Sequence, residues 1–159
     1  KPGLKKEFQG KTAWEPIFTT IENLMSGGSE VKELHPGGSV GILTKLDPRL
    51  IKADSLTGNI VGLKEKLPQV FYELNLKQHL LKRVVGAKDD LVVEPIKKGE
   101  IIMLNVNSAA TVGTVVELKK EMIHVKLKVP VCANLEDRFT ISRRIGTRWR
   151  LIGYAEIVK

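Results

Sequence analysis

The chain has 159 residues, 42% hydrophobic and 28% charged, which excludes a disordered polar chain and gives room for one medium domain or two small ones. A formal net charge of +8 favours a polyanionic partner, and one cysteine, Cys132, excludes an intrachain disulfide and fits a reducing compartment. No apolar run approaches the roughly 18 residues of a membrane span, so no membrane partner is expected, and Lys1-Pro2-Gly3 is neither an initiator Met nor a signal peptide and reads as a chain whose front is missing.

Turn signals recur from the start: Pro2-Gly3, Gly27-Gly28-Ser29, Pro36-Gly37-Gly38, Asp47-Pro48, Gly58-Asn59, Lys98-Gly99 and Asn134. Between them lie short runs rich in Val, Ile, Leu and Thr, the spacing of an all-β barrel or sandwich. Ile51 to Leu56 is long enough for about one helical turn, with Asp47 as cap. Leu63-Lys64-Glu65-Lys66-Leu67-Pro68 is charged, ends in proline and marks a boundary. We therefore divide the chain into residues 1–63, a linker at 64–67, and residues 68–159. The first block is short for a closed barrel and is expected to lack strands at its N-terminal side.

In the second block, Tyr72, Leu74 and Leu76 alternate with Glu73, Asn75 and Lys77, as on a strand with one wet face. Lys77 to Val85 fits either period. Ile101-Ile102-Met103-Leu104 reads as a strand covered on both sides, and Asn105 to Gly113 as a polar loop or wide hairpin connection. Ile123, Val125, Leu127 and Val129 form a second half-buried strand. Near the end, alternation puts Trp149 and Leu151 in the core, with Arg148 and Arg150 projecting outward beside Tyr154.

Catalytic and ligand-binding motifs are scarce. Thr44-Lys45-Leu46-Asp47 imitates the base-reading NKxD element of GTPases, but no GxxxxGK[ST] phosphate loop accompanies it, so Asp47 reads as a turn residue before Pro48. His35, His79 and His124 are far apart and share no ligand spacing with Cys132 or a carboxylate. Cys132 sits in an apolar run and reads as a small core residue. Ser142 has no base partner, and no residue pattern supports nucleophilic or general acid–base catalysis.

Charge is the remaining signal. Residues 138–159 hold six Lys/Arg against one Asp/Glu, a local net of +5, and five of the seven arginines. Arg143, Arg144, Arg148 and Arg150 flank Ile145-Gly146-Thr147, a connection that brings two strands together. Their guanidiniums form the best candidate site, suited to RNA phosphates or to an acidic protein surface, with a merely solvated basic face as the alternative.

Several ordered segments resemble a known family. They are Pro36-Gly37-Gly38 to Asp47-Pro48, Lys52-Ala53-Asp54, Leu80-Leu81-Lys82-Arg83-Val84-Val85-Gly86, Pro130-Val131-Cys132, Ser142-Arg143-Arg144 and Trp149-Arg150-Leu151-Ile152-Gly153-Tyr154. Together they are similar to the C-terminal part of the gamma subunit of archaeal and eukaryotic translation initiation factor 2, a translational GTPase of the elongation factor Tu type. The resemblance implies the later half of domain II over 1–63 and all of domain III over 68–159, both β-barrels. It implies a cytoplasmic protein whose absent G domain binds GTP and Mg. The whole factor, with alpha and beta subunits, delivers initiator methionyl-tRNA to the small ribosomal subunit. Ser39, Ile42-Leu43 and Ala155 depart from the family pattern at strand or turn positions. The alternatives are an elongation factor of the selenocysteyl-tRNA type, a stand-alone RNA- or ribosome-binding barrel, and a pure protein-interaction module.

Overall fold

A computed structural model describes residues 1–87 and 90–158. The chain divides into two compact units, one of Gly3–Leu56 and the other of Thr57–Lys159 together with Lys1–Pro2. Both are built from β-structure, as the sequence predicts. Among the described residues no helix is long and apolar enough to cross a membrane.

In the unit Gly3–Leu56, β1 (Leu4–Phe8) and β2 (Lys11–Glu15) form an antiparallel hairpin. Its two turn residues, Gln9 and Gly10, have φ of 48° and 74°, the left-handed pair that a type I′ hairpin requires. A second sheet has β3 (Ile21–Ser26) between β4 (Ser29–Val31) and β5 (Val40–Thr44). A 3₁₀ segment, Pro48–Asp54, follows. Asp47 caps it as the sequence predicts, its Oδ1 accepting from the Arg49 amide at 2.8 Å. None of the described side chains of this unit is fully buried, and Phe18 is 68% exposed. A sheet is stable when one face is covered, so these strands have no core of their own here.

The second unit opens with Thr57 and a short 3₁₀ turn, Lys64–Lys66. Six strands then close into an antiparallel barrel: β6 (Gln69–Leu80), β7 (Ile101–Val106), β8 (Ala109–Lys119), β9 (Met122–Ala133), β10 (Arg138–Ile145) and β11 (Arg148–Ile157). The order around the barrel is β10-β11-β6-β9-β8-β7, so β6 lies between β9 and β11, and β7 closes on β10. Closure removes the free strand edges. Leu74, Leu76, Ile102, Leu104, Ile123, Val125, Phe139, Ile141 and Ile152 fill the interior, each at most 1% exposed. Buried Thr111 is satisfied by Val129, donating to its carbonyl at 2.6 Å and accepting from its amide at 3.3 Å.

The Ile123–Val129 alternation is borne out, with Ile123 and Val125 inside. Four local expectations are corrected. Gly153 pairs with Ile141 and Leu151 with Ser142, which leaves Ile152 as a bulge residue turned into the core, while Trp149 and Leu151 are only half-buried. Another bulge, between Phe71 and Glu73, puts Phe71 rather than Tyr72 against the core and leaves Tyr72 exposed. Ile101–Leu104 is not covered on both sides: Ile102 and Leu104 are buried while Ile101 faces solvent. Asn105–Gly113, expected as a polar loop or a wide hairpin connection, is a hairpin but a tight one and mostly strand, since Val106 pairs with Ala109 across a two-residue turn, Asn107-Ser108. Gly153 is required by close approach, since a Cβ there would lie 2.4 Å from the His79 carbonyl oxygen.

Candidate nucleic-acid interface

The β10–β11 hairpin carries all four predicted arginines. Gly146-Thr147 is the turn, with Gly146 at φ 60°, and the register pairs Arg143 with Arg150, Arg144 with Trp149, and Ile145 with Arg148. Cross-strand partners share a face, so Arg143, Arg148 and Arg150 belong to one set and Arg144 to the alternate one. The hairpin brings the four together at one end of the barrel, in different chemical states.

Arg143 is committed to its own chain. Its Nε donates to Glu100 Oε1 at 2.6 Å and its Nη2 to Glu100 Oε2 at 3.1 Å. Nη1 donates to the Glu94 carbonyl at 2.9 Å, and Nη2 also reaches the Pro95 carbonyl at 3.2 Å. Both side chains of the pair are 18% exposed. Glu100 accepts a further bond from the Lys97 amide at 2.9 Å, across a turn whose third residue is Gly99 at φ 82°. A bidentate, four-bond guanidinium of this kind ties the 94–100 segment to β10.

Arg138 is also paired, to Glu156 at 3.2 Å, and its guanidinium lies 5.5 Å from the Tyr154 ring centroid. His79 stacks on Tyr154 at 4.8 Å. Among the described residues, Arg144, Arg148 and Arg150 have no acidic partner within ion-pair distance. Arg144 and Arg148 are exposed; Arg150 is half-buried, and a Cβ at Gly86 would stand 2.9 Å from its Nη1. The cations open to a polyanion are therefore fewer than the sequence count suggests. Sequence reasoning missed Glu100, Arg143's partner, and the His79–Tyr154–Arg138 stack. No local signal marks either, since each depends on strand pairing.

The other candidate groups are structural in setting. His124 meets Asn75 Oδ1 at 2.7 Å and Glu73 Oε2 at 3.2 Å. Cys132 is buried, and burial raises its thiol above the ordinary value, against a smaller opposing effect of the Lys1 amine. The described residues contain no group of three or more His, Cys, Asp or Glu placed to hold a metal. A guanine nucleotide does not fit the Thr44–Asp47 segment: Asp47 caps the following turn, and Thr44 Oγ1 accepts from the Leu46 amide at 3.4 Å.

Residues 72–157 match the family described as "Initiation factor eIF2 gamma, C terminal". The chain is similar to the translation initiation factor 2 subunit gamma of Pyrococcus horikoshii, with 53% identity over 157 residues. It is 51% identical to that of Thermococcus kodakarensis and 45% identical to that of Methanocaldococcus jannaschii. In each case 99% of this chain is covered, and it spans 38% of the length of the relative.

Proposed function

The chain belongs to the initiation factor eIF2 gamma C-terminal family, and on that premise we propose that it is the non-catalytic barrel region of a translation initiation factor. In this reading the whole factor binds GTP and Mg through a G domain outside the present sequence. With alpha and beta subunits, it delivers initiator methionyl-tRNA to the small ribosomal subunit. Residues 1–63 then correspond to the later part of domain II and 68–159 to domain III. The observation that carries the reading is identity of 53% extending over 99% of the chain.

This region works as a scaffold in the proposal. A closed barrel with no unpaired edge offers a rigid surface. Arg144 and Arg148 supply the phosphate contacts at the hairpin end, while Arg143, held by Glu100, positions that hairpin. The test is sedimentation of the 159-residue chain with purified small ribosomal subunits across a salt series. Arg144→Ala combined with Arg148→Ala should flatten the log–log salt dependence by roughly 1.4 to 1.8, about 0.7–0.9 per lost phosphate contact. An unchanged slope removes these two side chains from the RNA contact.

A further inference from the structure

Beside the Arg143–Glu100 pair lies an open groove of about 610 Å³, between Val84, residues 91–101 and the end of β10. Val84, Leu91, Val92, Ile101 and Ile145 give it an aliphatic lining. Three of these are unusually open for β-branched or large aliphatic residues: Val92 is 68% exposed, Ile101 56% and Leu91 43%. Uncovered apolar surface of this kind, gathered in one concavity with a polar rim, marks a place where another molecule sits.

The wall of the groove is built rather than loose. Arg143 holds the Glu94 and Pro95 carbonyls at 2.9 and 3.2 Å. The Val84 amide donates to Leu91 O at 2.8 Å and the Val93 amide to Lys82 O at 3.2 Å. A surface fixed in advance loses little conformational entropy when a partner docks.

Charge selects the partner. Four cations line the groove: Lys97, Lys98, Arg143 and Arg144. Among the described residues its two carboxylates are already matched, Glu94 by Lys97 at 3.4 Å and Glu100 by Arg143 at 2.6 Å. Lys98 and Arg144 are left as surplus, with no acidic partner among the described residues. The rim is therefore positive and the floor aliphatic. A second copy of a chain with net charge +8 meets like charge there. RNA finds no aromatic side chain in the lining on which to stack a base.

We propose that this groove is a docking site for an extended acidic peptide segment that inserts one or two large apolar side chains between flanking carboxylates. The anchor side chains cover Val92, Leu91 and Ile101, and the carboxylates meet Lys98 and Arg144. The apolar anchor supplies most of the affinity and the rim charges set the specificity. This site shares Arg144 with the RNA reading of the hairpin but rests on the aliphatic floor of Leu91, Val92 and Ile101, which that reading does not use.

The experiment uses the whole 159-residue chain and a fluorescein-labelled peptide, Asp-Glu-Asp-Leu-Phe-Asp-Glu-Asp, followed by fluorescence anisotropy. The control peptide replaces Leu-Phe with Ser-Ser. The anchored peptide is expected to bind about tenfold more tightly than the control, and Val92→Asp or Ile101→Asp to weaken it about tenfold. Lys98→Glu should weaken it about threefold at low salt and less at high salt. Val92, Ile101 and Lys98 are all exposed, and thermal melts check that each variant is folded. Equal binding of the Ser-Ser peptide overturns the proposal in favour of unspecific attraction to a basic chain. Unchanged binding by both Val92→Asp and Ile101→Asp overturns the assignment to this groove. Displacement of the peptide by an equal concentration of oligouridylate assigns the surface to RNA instead.

Discussion

Replacing Arg143 by Met keeps the long apolar stem and deletes a guanidinium that makes four hydrogen bonds, two of them to Glu100. A fully exposed ion pair contributes about 0–1 kcal/mol, whereas breaking a buried one costs about 3–5 kcal/mol. With each side chain 18% exposed, the pair lies nearer the buried limit, and we expect Arg143→Met to cost about 2–4 kcal/mol. For a barrel of this size that lowers Tm by roughly 10–20 °C. Glu100→Gln, which keeps an acceptor for the Lys97 amide, should cost about 1–2 kcal/mol. The double variant should cost less than the sum of the two, by about 1–2 kcal/mol. Urea unfolding in a Trp14→Phe background isolates Trp149, which pairs with Arg144 on the affected hairpin. The loss should persist at high salt, because a shielded pair is poorly screened. A cost below about 1 kcal/mol for Arg143→Met, or strict additivity of the two single variants, refutes the view that this pair holds the 94–100 segment to the barrel.

Two further outcomes follow from the unequal burial of the molecule. Limited trypsin digestion should cut first within Gly3–Leu56, at sites such as Lys32 and Lys45, because none of the described side chains of that unit is fully buried while the barrel has a continuous core. Mass spectrometry of the early fragments checks this, and first cuts at barrel arginines such as Arg143 would contradict it. Burial raises the Cys132 thiol, so below the ordinary thiol value its contribution to stability is full, and it is lost as pH rises through that value towards the raised one. Iodoacetamide should label the native chain at pH 8.5 at least about tenfold more slowly than the urea-unfolded chain, and equal rates would refute the shielding.

The β-character of the chain was legible because turn residues and period-two runs are local properties. So was the Asp47 cap, which needs only a side chain two residues from the amide it accepts. Bulges were not legible. A single extra residue at Ile152 turns that side chain inward where strict alternation would put Leu151, and nothing in the amino acids themselves announces the slip. The same holds at Phe71, whose inward turn leaves Tyr72 outside. For the candidate site, the hairpin and its four arginines could be read from spacing. Their division into a sequestered Arg143 and exposed Arg144 and Arg148 could not. It depends on Glu100, 43 residues earlier, which reaches β10 only because β7 closes the barrel against it.

Barrel closure also dictates when the fold can exist. β6, the first barrel strand, pairs with β9 on one side and with β11, the last strand, on the other. Local hairpins such as β7–β8 and β10–β11 can form within microseconds, but the seam between β6 and β11 must wait for the final residues of the barrel. Rates for such non-local β-topologies fall in the range of milliseconds to seconds. During synthesis β6 therefore has both edges unpaired until β9 is made and one edge unpaired until β11 is made, and the segment Gln69–Leu80 is the stretch that most needs protection until Ile157 has been made.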